Sequence, residues 1–461
     1  MVDSQAISLA SDIFVVVYHG HVAAIKLGAH DQVIEEKLFE LPTGQIGKQR
    51  DVDCAIRVPN TNVILVLGNM EVIPVHIEYN NPGFYYEYGD PTLYYFSPLD
   101  LRPSITVDGN RFAILFTDND YFTRLMTGTI DVESLTVTMT TDNIVIEEQT
   151  VYSISYIQHS VLGLVYAVNM NGTFIQSALG FESVDETGKY SITLKETSEI
   201  ECLHSISFLE MGSWGRFDKG NSNVIVTFIT DDESDGLIIR HMRYEKVTQS
   251  FLLGPRMNNK NSGVSDIDTH GVHHLSILMM ENNKFMVYYS SIINKGFTAL
   301  QLYNLSPSFE LMNDGPQFIV SRGISDINRE HYYVSASESG HRILLIESLY
   351  RYTNVDTSLS FLDVYNRPLG IVQSSRNGIA TVITQGVFDI PFSHGEIVPG
   401  KFYYSNSKGD YIEGEYVGMR GMDSYFVYID NEEVKMMTDT RNRIGYAIGT
   451  HQLMVETKPL R

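Results

Sequence analysis

The sequence predicts an all-β protein: a seven-bladed β-propeller over residues 1–366, followed by a small C-terminal β domain over 367–461. Three observations carry the prediction. Seven short apolar strands recur at 14–18, 63–67, 112–116, 163–167, 224–228, 285–289 and 343–347. Their central residues, Val16, Leu65, Ile114, Val165, Val226, Val287 and Leu345, lie 49, 49, 51, 61, 61 and 58 apart, the size of a propeller blade. The chain is also rich in Tyr, Val, Ile, Thr and Phe and lacks a sustained i, i+3, i+4, i+7 stripe.

Each repeat carries companions to its central strand. Alternating segments precede it at 105–107, 154–156 and 205–208, and a turn with a second strand follows at 172–176, 236–240 and 296–302. Glycine or asparagine at those turns supplies the backbone conformation of a tight hairpin. The central strands are almost continuously apolar, as burial on both faces requires, and the flanking ones are mixed. A β-sandwich or barrel with coincidental spacing is the alternative. Ring closure is expected from pairing of 6–9 with 359–364. A single tryptophan, Trp214, and the lack of any Gly-Gly pair exclude WD and kelch repeats.

Composition narrows the function. With 461 residues, 43% of them hydrophobic, the chain can bury a large core. Fifty-six acidic against 33 basic residues give a net charge of −23, which phosphate backbones repel, so no nucleic-acid partner is expected. Apolar runs are strand-sized, so no membrane insertion is expected, and the N-terminus reads as lacking a secretory signal. Cys54 and Cys202 fall in different repeats and read as two buried thiols in a protein made in a reducing cytoplasm. Asn171-Gly172-Thr173 reads as turn chemistry.

The character of the chain changes near Arg367. Pro368 and Gly370 open a run of short strands. Gly386, Pro399 with Gly400, Tyr403 with Tyr404, the Gly409 hairpin, Gly445 with Ala447, and Leu453 follow in that order. The stretch from 443 to 455 reads as one two-faced strand. This ordered set resembles the small C-terminal β module of bacteriophage and viral tail-fibre, head-fibre and other virion proteins. The resemblance covers about the last 90 residues, with an insertion at 419–437 as its departure. It implies a structural or host-attachment role in a virus particle, with other virion proteins, a host-surface glycan or receptor, and further copies of the chain as partners.

Chemistry-bearing motifs are few. The acidic stretches 231–236 and 118–120 suit hairpin turns better than Ca²⁺ loops, which need a bidentate carboxylate at the twelfth position. His273 and His274 would face opposite sides of a strand, so they and His270 do not form a metal set. No catalytic motif is found, and neither metal nor cofactor is expected. The unusual segment is 84–96, with seven aromatics beside a turn at 80–83. Tyr85, Tyr86, Tyr88, Tyr94 and Tyr95 read as a tyrosine-rich loop able to stack on sugars or anchor a protein. Packing of an outer strand is the alternative for these tyrosines. The expected function is non-enzymatic attachment, with a carbohydrate-active propeller enzyme or a cellular lectin as competing readings.

Overall fold

The computed structural model describes strands and turns over 5–313, apart from connecting stretches of which 28–32, 43–51, 95–102, 216–221, 231–235, 259–271 and 292–296 are the longest. From 318 onward it describes strand backbones, with side chains at Ile343 and Leu344. The chain divides into two compact units, Met1–Leu362 and Asp363–Arg461.

The first unit is an all-β propeller. Six blades, each a meander of sequential antiparallel strands, occupy 5–40, 54–93, 104–148, 152–201, 206–258 and 272–321. In blades 2, 3 and 6 the outermost strand is interrupted, so two short segments pair with the same third strand. The seventh repeat forms a three-stranded sheet, Glu330–Ser339, Arg342–Arg351 and Asn354–Asp363. Its first strand packs against the first strands of blades 6 and 1.

The seven apolar runs all fall in the second strand of their sheets, for example Ile13–Tyr18, Val63–Gly68 and Asn223–Thr230. In the six blades that strand has a hydrogen-bonded neighbour on either side and another blade over each face, so nearly every described residue in it is buried. The apolar core is accordingly divided into slabs between blades. Val15, Val17 and Ala24 of blade 1 meet Ile64, Ile73 and Val75 of blade 2. Val165, Ile175 and Leu179 of blade 4 meet Val224, Val226 and Phe228 of blade 5. Trp214 belongs to the slab between blades 5 and 6, where its Nε1–H donates to the Met280 carbonyl at 2.9 Å.

The innermost strands have a free edge facing the axis and satisfy part of it with side chains from the next blade. Thr106 Oγ1 accepts the Tyr156 N–H at 3.0 Å, and Ser153 Oγ accepts the Met211 N–H at 3.0 Å while donating to Glu210. Ser213 Oγ donates to the Tyr156 carbonyl at 2.5 Å, and Arg57 reaches the Ser8 carbonyl at 3.2 Å. Closure differs from the expected pairing of 6–9 with 359–364. Gln5–Ala10 is the first strand of blade 1 and pairs with Ile13–Tyr18. The join is made by packing, with Leu344 against Phe14, Val16, Ala23 and Ile25.

In the second unit a hairpin, Ile371–Arg376 with Ile379–Ile383, accompanies a seven-stranded sheet. Phe402–Ser405 pairs with both Tyr411–Met419 and Arg443–Gly449. The stretch read as one strand from 443 to 455 is a hairpin of Arg443–Gly449 and Gln452–Glu456, folded back so that Ala447 faces Leu453. The insertion at 419–437 extends the sheet by Ser424–Ile429 and Glu432–Met437. The two cysteines are free thiols; Cys54 is buried and Cys202 half-buried.

Replacing Thr106 with the isosteric valine leaves the buried Tyr156 N–H without its acceptor. A loss of about 1–3 kcal/mol is expected in denaturant unfolding of the Thr106→Val chain. An unchanged midpoint would show that the inner strands do not depend on their neighbours' hydroxyls.

Candidate functional site

The first part of the aromatic segment, through Tyr88, is a strand and not a loop. Gly83–Tyr88 is the outermost strand of blade 2, paired with Glu71–Asn80 so that Ile77 faces Tyr86 and Glu78 faces Tyr85. Strand alternation therefore splits the tyrosines. Phe84, Tyr86 and Tyr88 share the face of Ile77, which packs towards blade 1, and Tyr85 and Glu87 lie on the opposite face.

On the blade 1 side, Tyr86 stacks on Phe39 of strand Val33–Glu40, with centroids 4.5 Å apart and planes within 7°. Its hydroxyl donates to the Glu40 carbonyl at 3.1 Å. Burial, and then the neighbouring Tyr88, push the Tyr86 phenol upward. Tyr88 continues the seam with its ring 5.6 Å from Tyr86 and remains 45% exposed. Tyr85 is 60% exposed on the other face, between Glu78 and Glu87. The site thus offers two accessible phenol rings on opposite sides of one strand, each with carboxylates in the same stretch of chain, Glu78, Glu87 and Asp90. Exposed rings of this kind stack on apolar sugar faces while carboxylates accept hydroxyl hydrogens.

Gly89 ends the strand at a point of close backbone approach. Its N–H donates to the Pro74 carbonyl at 3.0 Å, and a Cβ there would lie 1.8 Å from the Leu135 carbonyl oxygen of blade 3. Tyr94 does not join the rim. It is 3% exposed, sits in the slab between blades 2 and 3, and meets Phe116 edge-on at 5.4 Å. Burial makes its ring a packing element, which corrects its grouping with the exposed tyrosines. Tyr95 lies outside the described residues. Phe39, which holds Tyr86 in place, was missed by sequence reasoning because it is 47 positions away and in another repeat.

The acidic and histidine motifs resolve differently. Asp118 is buried and accepts the backbone N–H groups of Asp120 and Phe122, at 3.0 and 2.9 Å, while pairing with Arg124. Burial alone would raise its pKa, but these hydrogen bonds and the guanidinium outweigh it and hold the carboxyl below its usual range. Asp118 is thus a turn anchor. The stretch 231–235 and His270 lie outside the described residues, and the side chain of His273 is not described. Among the described residues no group of three or more His, Cys, Asp or Glu could hold a metal.

One titratable group escaped the sequence altogether. His241 is buried in blade 5, stacked on Phe309 at 5.7 Å, and its Nε2–H donates to Asn223 Oδ1 at 2.9 Å. Its Nδ1 faces Gly254, where a Cβ would come within 2.2 Å. Burial, then Arg243 and Arg240, lower its pKa to about 4.

No family model matches the chain, and no curated protein matches it. Similar solved structures include Kluyveromyces lactis Hsv2, at 11% identity over 79% of this chain and 100% of that one, with a TM-score of 0.40. A Dyadobacter fermentans protein of unknown function gives 9% identity over 78% and 94%, with a TM-score of 0.42. A mutant of the Aleuria aurantia lectin in complex with Fucα1-6GlcNAc gives 10% identity over 70% and 97%, with a TM-score of 0.40.

Two predictions follow from this geometry. Tyr86→Ala removes a stacked, half-buried ring and is expected to cost about 2–4 kcal/mol, whereas Tyr85→Ala and Tyr88→Ala stay within about 0.5 kcal/mol in chemical denaturation. His241 is held neutral by the fold, so the unfolded chain binds its proton first. The stability it contributes is complete above about 6.5, the ordinary histidine value, and is lost as pH falls towards 4. A melting temperature that drops over that window, and drops less in His241→Gln, is the expected result.

Proposed function

We propose that this chain is a binding protein whose propeller takes a glycan at its rim, acting without catalysis. The observation that carries the reading is the exposure of Tyr85 and Tyr88 on a strand held from behind by the Tyr86–Phe39 stack. A rigid backing limits the entropy lost when an exposed ring stacks on a ligand. The carboxylates of Glu78 and Glu87 stand on the same strands and suit a hydroxyl-rich ligand.

In this reading the three-stranded sheet at 330–363 is a truncated seventh blade, supported by its packing between blades 6 and 1. The C-terminal resemblance to virion modules makes a virus particle the proposed setting, where the second unit docks to other particle proteins or to further copies of the chain. Repetition around a particle would turn weak single-site binding into firm attachment through avidity. A hydrolase or lyase would need two facing carboxyls in a pocket, and the rim offers single carboxylates beside exposed rings.

The test is a glycan array probed with the full chain and with Tyr85→Ala and Tyr88→Ala. The expected outcome is binding that falls about tenfold or more in at least one variant, with unchanged unfolding midpoints. Binding that is indifferent to both rings would remove the rim from the reading. Release of reducing ends or unsaturated products from a bound oligosaccharide would replace it with the enzymatic alternative.

A further inference from the structure

Blade 5 carries an arrangement that its described residues leave uncompensated. Arg240, on strand Leu237–Glu245, stands directly opposite Arg256, on the outermost strand Ser250–Asn258. Like charges placed directly across a sheet repel, and this pair occurs in a chain of net charge −23 that has acidic residues to spare. Arg240 lies on the face of Ile238 and Met242, which pack towards blade 4, and Arg256, as its cross-strand partner, shares that face. Among the described residues neither guanidinium has an ion pair, and Arg240 Nε is buried without a hydrogen-bond partner. Burial and then Arg256 lower the Arg240 pKa, as expected where no anion offsets the charge.

Among the described residues, the acids on the neighbouring strands are turned away from the pair. Arg243, the other basic residue of that strand, is turned to the opposite face, where it pairs with Glu245 at 3.5 Å and covers Phe309 at 5.4 Å. On the facing strand of blade 4, Glu199 and Glu201 pair with Gln176 and Phe174, on the side away from Ile200 and the slab shared with blade 5. Between Arg240 and Met242 the register shifts, so that Gly254 and Pro255 together stand opposite His241, one residue more than a regular ladder has. A bulge of this kind re-aims the side chains beside it, and proline, lacking an N–H, costs no ladder bond there. Leu253, exposed on the same face, borders the charges with apolar surface.

We propose that Arg240 and Arg256 form a binding site for a single oxyanion group, a carboxylate or sulfate ester, carried by an acidic sugar. Two arginines on paired strands can each donate charge-assisted N–H bonds to one anion, and the planar fork of a guanidinium suits an oxyanion. The acidic surface around them repels polyanions and leaves a short-range preference for one charged group, since screening confines each field to about 8 Å in physiological salt. The oxyanion site stands on blade 5 alone, and its sugar carrier rests on the glycan reading above.

The experiment is thermal unfolding and calorimetric titration of the full chain with inorganic sulfate, with glucuronate, and with a sulfated oligosaccharide and its desulfated counterpart. Sulfate is expected to raise the melting temperature where sodium chloride of equal ionic strength does not, and Arg240→Gln and Arg256→Gln each to abolish the shift. Arg256→Gln, relieved of repulsion, should melt without added anion at or above the parent temperature, which separates a folded variant from a damaged one. The sulfated oligosaccharide should bind at least about tenfold more tightly than the desulfated one, with that preference lost in Arg256→Gln. An equal sulfate shift in parent and variants, or a lower melting temperature for anion-free Arg256→Gln, would overturn the site. A sulfate shift confined to the arginines, with neither oligosaccharide bound, would keep the anion site and overturn its sugar carrier.

Discussion

The structure depends on how its innermost strands dispose of their backbone groups. Each is the edge of its sheet, and an edge strand presents N–H and C=O groups that no strand within the blade can pair. Here the next blade supplies part of the remedy with short side chains, as Thr106 does for Tyr156 and Ser153 does for Met211. A hydroxyl is small enough to let the blades close up and polar enough to satisfy an amide. The apolar slabs behind can then pack to full density, because the seam in front of them is hydrogen-bonded.

That division of labour leaves the rim for recognition. Inner positions are committed to neighbouring blades and second strands are buried on both faces, so accessible chemistry accumulates on the outermost strands. The tyrosines of Gly83–Tyr88 and Arg256 of blade 5 occupy this zone, with Arg240 on the strand beside it. Both are also held by neighbours: Tyr86 by Phe39, and the arginine register by a bulge shaped around His241.

The legible part of the fold follows from the same physics. A strand buried on both faces has no freedom but to be apolar, so all seven second strands could be read directly from the chain. The outer strands could not, because exposure allows them any composition. Gly83–Tyr88 thus looked like a loop, and the alternation that separates Tyr85 from Tyr86 and Tyr88 became visible only with the strand assigned. Tyr94 resembled its neighbours in sequence, yet the chain turns at Gly89 and carries it into the core. Phe39 and the opposition of Arg240 to Arg256 depend on contacts across blades and on a bulged register, neither of which leaves a local pattern. The run from 443 to 455 reads as one strand because a hairpin of two apolar strands with a short turn has the same composition.

The way the ring closes has a consequence in time. The face of blade 1 formed by Phe14, Val16, Ala23 and Ile25 is covered by Leu344, which a ribosome reaches more than three hundred residues later. At about 5–20 residues per second, roughly 15–65 seconds pass before that cover exists. Throughout that interval a finished blade would present an apolar surface to water. The nascent chain therefore has its greatest need of chaperone shielding at its beginning, although the missing piece lies near the far end of the propeller.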